Sequence, residues 1–313
     1  MVDAVIAWVD GSDPEHIRKR EKYKSTQHTQ RTDAYAATRF SNNGELRYCI
    51  NLIRKNAPWI REIFLITDSQ CPDWLDAARR TELGVTIVDH KVIFRGHEEV
   101  LPTFNSLALE TVLHRIPGLG EKFIYFNDDF FIVKPVLQKD YFDGSIPLIR
   151  GFYYSNNKFF RELNRLFGPK KFKMRGMVGT RFRQEDGVPL PHKVKICHTP
   201  HPIIKQDYAN LMEDCDRVAR NTKYRFRDAA QFGPVPFYVS TAFSAGRAKI
   251  VRRDDLYLDP ADREDIDQSD IRAQLSKKRI RHMCVQSLEE FADGSRAGIY
   301  DILDELVASD VTP

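Results

Sequence analysis

The sequence predicts an α/β fold: a Rossmann-like, mainly parallel sheet with helices on both faces, followed by a basic helical C-terminal portion. Through the first half of the chain, apolar strand-like runs alternate with segments whose apolar residues recur at helical spacing. This alternation is typical of βαβ units, which cover both faces of a parallel sheet. Three of the four expected strands also end in polar or acidic residues, and such sheets bind ligands beyond the carboxyl ends of their strands.

The expected helices and strands are short and are separated by turn-forming residues. A helix is expected to begin near Pro14, after a turn-forming cluster. Strands are expected at 4–8, 63–67, 85–88 and 123–126, and helices at 45–57, 74–78, 107–114, 203–219 and 296–308. Because a domain typically has roughly 100–200 residues, we expect one compact unit with three parts. These are an α/β core at 1–150, a basic and aromatic insertion or lid at 151–195, and a part completing the functional site at 196–313.

The distribution of charge indicates an anionic partner. The chain has 48 Lys and Arg against 44 Asp and Glu, a net charge of only +4. The basic excess is concentrated at 150–227, however, while the rest of the chain is net acidic. Such a segment favours contact with phosphate, a polyanion or lipid headgroups. The alternative is a solvated basic face without a partner. Nucleic acid is not expected, because no nucleic-acid-binding motif accompanies the charge.

Several classes of protein are disfavoured by what the sequence lacks. The five cysteines are odd in number and form no CxxC pair, which argues for a reducing compartment and against a disulfide framework or a structural zinc site. No apolar run is long enough for a membrane span or a signal peptide. The expected location is the cytoplasm, with the inner face of the cytoplasmic membrane as a further option. Serine hydrolase, P-loop ATPase and dinucleotide oxidoreductase motifs are absent.

Two adjacent carboxylates follow the fourth expected strand, in the run Asn127-Asp128-Asp129. Neighbouring carboxylates repel each other, and a bound cation relieves that repulsion. Their hard oxygen ligands suit Mg²⁺ or Mn²⁺, which usually also hold substrate phosphate. The alternative is an acidic turn without a ligand.

Two further clusters offer candidate binding groups. Asp10-Gly11-Ser12-Asp13 follows the first expected strand, where such residues can hold a ribose or a base edge; the alternative is a turn that caps the next helix. His198 and His201 lie between prolines that favour extended backbone, a suitable mount for a general base or a phosphate contact. The alternative for the histidines is an ordinary surface loop.

Arginine and polar residues near expected helix starts complete the candidates. Arg225 can bind phosphate with both arms of its guanidinium, although it can equally belong to a solvated basic face. Arg47, Asn105 and Ser106 locally resemble helix caps.

Taken in order, these segments resemble the conserved blocks of the Stealth family of sugar-1-phosphate transferases. That family includes bacterial capsule polymerases and the animal N-acetylglucosamine-1-phosphotransferase that acts on lysosomal enzymes. Residues 4–13 are similar to its first conserved region, and 198–201 with 225–231 to its third. Its second and longest region is similar to residues 39–48, 56–61, 101–106, 114–119 and 123–129.

The resemblance implies a GT-A-like, nucleotide-sugar-binding core and an enzyme of bacterial capsule or exopolysaccharide synthesis. A hydroxyl of a glycan or phosphoglycan acceptor would attack the phosphorus next to the sugar of a UDP-sugar, and UMP would leave. Mg²⁺ or Mn²⁺ would bind Asp128 and Asp129, with catalytic roles for His198, Asp129 and Arg225. Substrate contacts would come from Asp10, Gly11, Ser12, Asp13, Arg39, Asn43, Arg47, Asn105, Ser106 and His201.

Two other functions stay open from the sequence. One is a metal-dependent glycosyltransferase, which would release UDP instead of UMP. The other is a non-catalytic protein that binds polyanions through its basic segment.

The resemblance weakens in the fourth conserved region. Family members often carry Cys-Ile-Asn-Asp there, whereas this chain has Cys284-Val285-Gln286-Ser287. If the acidic residue is a metal ligand in relatives, Gln286 or Ser287 has to supply a neutral oxygen in its place.

Overall fold

A five-stranded sheet forms the centre of the structure, a computed structural model that describes residues 1–24, 32–155, 192–213 and 215–309. The strands, in chain order, are β1 (Val2–Ala7), β2 (Ile60–Thr67), β3 (Val85–Asp89), β4 (Lys122–Asn127), β5 (Phe130–Ile132), β6 (Phe142–Asp143), β7 (Ile146–Ser155), β8 (His192–Ile196), β9 (His201–Ile204), β10 (Lys249–Val251), β11 (Asp255–Leu258) and β12 (His282–Val285). The α-helices are α1 (Pro14–Lys24), α2 (Glu45–Asn56), α3 (Ala77–Leu83), α4 (His90–Ile93), α5 (Ser106–Thr111), α6 (Lys205–Met212), α7 (Cys215–Thr222), α8 (Pro234–Ser244), α9 (Gln268–Leu275) and α10 (Asp293–Ala308). Short 3-10 helices occur at Thr32–Tyr35, Ala37–Arg39, Glu98–Val100, Leu113–Arg115, Gln138–Asp140 and Leu288–Glu290.

The central sheet has the strand order β3-β2-β1-β4-β9. Strands β1 to β4 are mutually parallel, with Ile6 of β1 opposite Leu65 of β2 and Phe126 of β4, and β9 adds an antiparallel edge. All four strands expected in the first half occur, and their carboxyl ends meet at one edge of the sheet. The predicted α/β fold class with a mainly parallel sheet is confirmed.

Apolar side chains cover both faces of this sheet. Successive residues of a strand point to opposite faces. Val5 accordingly joins a core on one face, with Leu109 of α5 and Val239 of α8, while Ile6 joins a second core with Ile50 of α2. Burial on both faces explains why β1 is almost continuously apolar.

The short helix after β2 begins later than the sequence predicts. It was expected at 74–78 and starts at Ala77. The carboxylate of Asp76 accepts a hydrogen bond from the Arg79 amide at 2.8 Å, which satisfies an amide that the first helical turn leaves unpaired. The cap therefore sets the beginning of α3.

The segment predicted as one helix over 203–219 begins as a strand. Ile203 pairs with Phe123 of β4, and the chain turns helical only at Lys205. The apolar residues of this segment complete the edge of the central sheet, and that long-range pairing overrides the local helical pattern.

Two smaller sheets flank the central one. One has the order β10-β7-β6 with β8 paired to β7, and the other has the order β11-β12-β5. Strand β5 follows Asp129 immediately, and its antiparallel pairing places Cys284 of β12 opposite Phe130. This pairing brings the chain after Val285 next to the carboxyl end of β4.

The predicted insertion or lid at 151–195 lies mostly outside the described residues, which omit 156–191. Its two flanks, β7 and β8, form an antiparallel pair with Gly151 opposite Ile196. Of the helices in the described ranges, none has the length and apolar character needed to cross a lipid bilayer.

Candidate active site

A cavity of about 650 Å³ opens beyond the carboxyl ends of the central strands. Trp8 and Val9 line it just after β1, His90 after β3, and Asp128 and Asp129 after β4. Because the parallel strands end at one edge, residues that are far apart in the sequence meet there.

The acid pair Asp128 and Asp129 lies on the cavity wall with Glu45 of α2. Burial raises the pKa of Asp128 well above its usual value, and the charges of Asp129 and Glu45 raise it further. Burial also raises the pKa of Asp129, opposed by the Cys284 thiol, which donates to Oδ2 at 3.5 Å. Carboxylates this close to one another favour a bound proton or a bound cation.

Asn43 holds two carboxylates of this wall together. Its backbone amide donates to Glu45 Oε2 at 2.7 Å, and its side-chain amide donates to Glu45 Oε1 and Glu289 Oε2, each at 2.9 Å. The Tyr300 hydroxyl donates to the Asn43 carbonyl at 2.9 Å. Asn43, a predicted substrate contact, therefore lines the cavity and also orients its neighbours.

The acid pair fits a hard divalent cation that a bound phosphate also coordinates. The Oδ1 atom of Asp129 is buried and has no hydrogen-bond partner among the described residues. Across those same ranges, no three His, Cys, Asp or Glu side chains are arranged to enclose a metal ion. Mg²⁺ commonly binds through one or two carboxylates together with substrate phosphate, so two carboxylates suffice as the protein's share.

His198 lines the same cavity, where its ring packs 4.4 Å from the ring of Tyr257. Burial lowers the pKa of His198, although the nearby charges of Asp255 and Asp259 oppose this shift. The side chain is nevertheless exposed to the cavity. A neutral imidazole with access to a ligand can accept a proton at neutral pH.

Arg227 is the arginine of the Arg225-Phe226-Arg227 run that lines the cavity. Its Nη2 donates to the Ser106 hydroxyl at 2.5 Å. Burial raises the pKa of Glu110 to about 7, and the positive charge of Arg227 opposes that shift. Arg227 thus lies between the cavity and a buried carboxyl group.

Arg225, the predicted catalytic arginine, is placed differently. Its guanidinium donates to the carbonyls of Glu99 at 2.8 Å and Leu101 at 3.1 Å, and it lies 4.5 Å from the centre of the Tyr23 ring. These contacts hold the loop before α5, and Arg225 is not one of the residues that line the cavity.

The cluster Asp10-Gly11-Ser12-Asp13 forms a tight turn beside the cavity without lining it. Asp10 accepts from the Ser12 amide and hydroxyl at 2.9 and 2.6 Å, and Asp13 caps α1 by accepting from the His16 amide at 2.7 Å. A Cβ atom on Gly11 would lie 2.1 Å from the carbonyl oxygen of Phe40. Capping and close packing account for these residue types here, and their substrate contacts stay a prediction.

The other predicted substrate contacts fall into two groups. Arg39, Ser106 and Asn105 line the cavity, and Asn105 also caps α5 by accepting from the Leu107 amide. Two residues do not line it: Arg47 is exposed on α2, and His201 is buried in β9.

The fourth-region residues Gln286 and Ser287 line the cavity near the acid pair. The Val285 amide donates to the Asp129 carbonyl at 3.3 Å, which ties this segment to β4. Ser287 has a φ of 47°, a left-handed conformation that is uncommon outside glycine. Neutral oxygens thus stand where the sequence comparison expects an acidic residue.

Among the lining residues that the sequence predictions missed are four buried side chains with polar atoms: Trp8, His16, His90 and Thr103. Each is at least nine-tenths buried. His90 follows the third predicted strand directly, so the strand-end rule applied to that strand would have included it. Trp8 and Thr103 lie within the family-like segments 4–13 and 101–106, whereas no local pattern marks His16.

The described fold is that of an α/β protein with a large polar cavity at the strand ends. Residues 2–27 match the model of Stealth protein conserved region 1, and residues 39–147 match that of conserved region 2. The chain thus carries two conserved regions of the Stealth family, in the segments where the sequence resemblance indicated them.

Similar curated proteins are bacterial polysaccharide phosphotransferases. The capsular polysaccharide phosphotransferase cps1A of Actinobacillus pleuropneumoniae is 42% identical over 146 residues, which cover 46% of this chain and 39% of that protein. An exopolysaccharide phosphotransferase of Streptomyces coelicolor is 43% identical over 141 residues, covering 45% of this chain and 23% of that protein. The matched residues therefore span well under half the length of these relatives.

Similar solved structures are glycosyltransferases. The galactosyltransferase LgtC, in complex with donor and acceptor sugar analogues, has a TM-score of 0.46 and 11% identity, covering 99% of this chain and 97% of that one. GlyE of Streptococcus pneumoniae has a TM-score of 0.45 and 9% identity, covering 99% and 61%.

Proposed function

We propose that this chain transfers a sugar-1-phosphate from a UDP-sugar to a hydroxyl group of a glycan acceptor in capsule or exopolysaccharide synthesis. The observation that carries the proposal is the cavity in which the acid pair Asp128 and Asp129 meets His198 and Arg227. The polysaccharide phosphotransferase names of the relatives support the same reaction class.

The proposed reaction exchanges one phosphorus–oxygen bond for another. The acceptor oxygen bonds to the phosphorus that carries the sugar, the bond from that phosphorus to the UMP oxygen breaks, and a sugar phosphodiester forms. The acceptor proton passes to a ring nitrogen of His198, whose lowered pKa keeps the ring neutral and ready to accept it. UMP leaves with the electron pair of the broken bond.

Asp128 and Asp129 would hold Mg²⁺ or Mn²⁺ through their carboxylate oxygens. When bound, the cation neutralises charge on the diphosphate. The cation would also relieve the charge repulsion between Asp128 and Asp129. Gln286 and Ser287, on the same wall, offer neutral oxygens as further contacts.

Arg227 supplies forked donors for a phosphate group. Its guanidinium, held at Ser106, can donate to two phosphate oxygens at once, and phosphoryl transfer depends mainly on positioning and charge stabilisation. We assign this contact to Arg227, and to Arg225 the support of the loop at Glu99 and Leu101. Arg39 and Asn43 are proposed as further substrate contacts on the same lining.

The identity of the released nucleotide tests the proposal. The full chain is incubated with Mg²⁺, a UDP-N-acetylhexosamine and an acceptor oligosaccharide, and the nucleotide is separated by chromatography. We expect UMP from the wild type and from the exposed control variant Asp73→Asn, and at most about one hundredth of that rate from Asp129→Asn. Release of UDP indicates a glycosyltransferase instead. Acceptor binding without any nucleotide release indicates a non-catalytic polyanion-binding protein.

The proposed place of action is the cytoplasm, at the inner face of the membrane where an anionic or phosphorylated acceptor is available. The support is the basic excess of the sequence at 150–227, which favours anionic surfaces. Sedimentation with vesicles that contain an anionic lipid, compared with neutral vesicles, measures this association.

A further inference from the structure

One end of the cavity collects buried polar atoms that no part of the described protein satisfies. The indole Nε1 of Trp8, both ring nitrogens of His16 and of His90, and the hydroxyl of Thr103 have no hydrogen-bond partner among the described residues. All four side chains line the cavity and are at most 5% exposed. Buried polar groups are normally paired, so this concentration indicates a site for a polar ligand.

From these atoms we infer that Trp8, His16, His90 and Thr103 form the nucleobase subsite of the cavity. The inference rests on the proposed function, because it assigns the base of the proposed nucleotide donor to these residues. These four residues would determine which base is bound, and they lie outside the Asp10–Asp13 cluster.

The hydrogen-bonding capacity of the subsite fits a base edge better than a phosphate. A neutral imidazole offers one donor and one acceptor, and a hydroxyl offers both. Burial lowers the pKa of His90 to about 4 and also lowers that of His16, so both rings are neutral. A phosphate offers only acceptors at neutral pH and leaves the imidazole acceptors unpaired, whereas a base edge carries donors and acceptors side by side.

The charge around the subsite also disfavours an anion. Three carboxylates, of Asp13, Asp68 and Asp89, act on the two histidines, against the two cations Lys19 and Arg20. The charge of Asp68 is paired with Lys19 at 3.0 Å. This pairing leaves Lys19 engaged with Asp68 and not directed at a ligand.

Aromatic side chains line the cavity beside the subsite. The His16 ring lies 5.3 Å from Phe104 and 5.9 Å from Phe40, and both phenylalanines line the cavity. Flat heteroaromatic rings stack on aromatic side chains with little dependence on sequence.

The position of the subsite along the sheet matches the proposed nucleotide. His90 follows β3 and Asp128 follows β4, and two strands lie between them in the order β3-β2-β1-β4. At about 4.8 Å for each strand spacing, His90 and the acid pair lie roughly 14 Å apart, whereas Trp8 follows β1, the strand adjacent to β4. A nucleoside diphosphate can extend its base toward one end while its diphosphate reaches the other.

Conservative variants test the subsite by calorimetric titration of the full chain in Mg²⁺ buffer. Thr103→Val removes one unpaired hydroxyl and keeps the side chain's shape, whereas Trp8→Phe removes the unpaired indole nitrogen and also shortens the ring system. We expect each to weaken UDP binding roughly 5- to 10-fold, the value of one hydrogen bond, with pyrophosphate binding unchanged. Thr103→Val should not lower the melting temperature, because the deleted hydroxyl has no partner within the described protein, while Trp8→Phe should lower it through lost packing in the core.

Matched variants elsewhere should differ in their effect on UDP affinity. Trp59 donates its indole hydrogen to the Val136 carbonyl at 2.7 Å, and Thr111 donates to the Leu107 carbonyl at 2.7 Å; neither lines the cavity. Trp59→Phe and Thr111→Val should lower the melting temperature and leave UDP affinity unchanged.

Three results of the nucleotide and pyrophosphate titrations would overturn the inference. They are UDP affinity unaltered in both subsite variants, an equal loss of pyrophosphate affinity, and a wild type that binds none of UDP, CDP, ADP and GDP. Weakened binding of N-acetylglucosamine 1-phosphate with intact UMP binding would also overturn it, since the subsite would then hold the sugar. These outcomes are separate from the proposed reaction: release of UDP in the turnover assay rejects sugar-phosphate transfer and leaves the subsite standing.

Discussion

The buried carboxyl group of Glu110 gives a quantitative test of how the site is held together. Burial raises its pKa to about 7 from an ordinary value near 4.5, and the neighbouring charge of Arg227 only partly opposes this. The substitution Glu110→Gln keeps the shape of the side chain and removes its ionisation. We predict that this variant is more stable than the wild type at high pH and equally stable at low pH.

The magnitude follows from proton linkage. Between about pH 4.5 and pH 7 the folded protein binds more protons at Glu110 than the unfolded chain does, so stability falls as pH rises through this window. At about 1.4 kcal/mol for each pH unit, the cost reaches up to about 3 kcal/mol above pH 7. For a chain of this size, 1 kcal/mol corresponds to roughly 2 °C in melting temperature. The variant should therefore melt up to about 6 °C higher at pH 8.

The assay is thermal unfolding of both proteins from pH 5 to pH 8, in metal-free buffer. The exposed variant Glu264→Gln serves as the control and should follow the wild type throughout. A Glu110→Gln protein that melts at or below the wild-type temperature at pH 8, or whose advantage does not grow with pH, would refute the reasoning. In that event, pairing with Arg227 outweighs the burial of Glu110.

Four further results are expected. Asp129→Asn should lower turnover at least ~100-fold and abolish the rise in melting temperature that Mg²⁺ produces, as initial rates and thermal scans will measure. His198→Ala should lower turnover at least ~100-fold, and wild-type activity should fall on the acidic side as the ring becomes protonated, which a pH–rate profile records. Arg227→Lys should lower turnover roughly 10- to 100-fold with little change in stability, since Lys cannot donate as a fork. Gly11→Ala should lower the urea midpoint, because its Cβ would lie 2.1 Å from the Phe40 carbonyl oxygen.

Each of these results has a contrasting outcome. A near-normal rate for the Asp129 or His198 variant would remove that residue from the chemistry. An Arg225→Lys variant serves as the comparison for Arg227, and equal losses of turnover in both would contradict the assignment to Arg227. Unchanged stability of the Gly11 variant would mean that the turn at Phe40 can shift freely.

The acid pair could be found from the sequence because its signal is local. A buried strand followed at once by Asn127-Asp128-Asp129 needs no knowledge of distant residues, and the parallel sheet fixes where such a strand ends. The same reasoning identified the four parallel strands. The edge strand β9 was missed because its apolar residues read as helical until their pairing with β4 is known.

The two arginines could not be told apart from the sequence. Arg225 and Arg227 flank the fully buried Phe226, and nothing in the three residues says which guanidinium reaches the cavity. The two arginines differ in their contacts with distant residues. Arg225 donates to the carbonyls of Glu99 and Leu101, which are 126 and 124 residues away in the sequence. The sequence thus points to the segment, and the tertiary contacts favour Arg227 as the proposed phosphate contact.

The cavity lining and the rest of the protein differ in how far their buried polar groups are paired by hydrogen bonds. Away from the cavity, the buried carboxylate of Asp3 receives two hydrogen bonds from Arg61, at 2.7 and 2.6 Å. About half of the buried side-chain nitrogen and oxygen atoms without a partner in the described ranges belong to residues that line the cavity, Asp129 and His90 among them. An unpaired buried group costs about 1–3 kcal/mol, so a fold selected only for stability would pair these groups or replace them with apolar ones. The uneven distribution of unpaired groups is therefore an argument, independent of any family resemblance, that this cavity exists to bind a polar ligand.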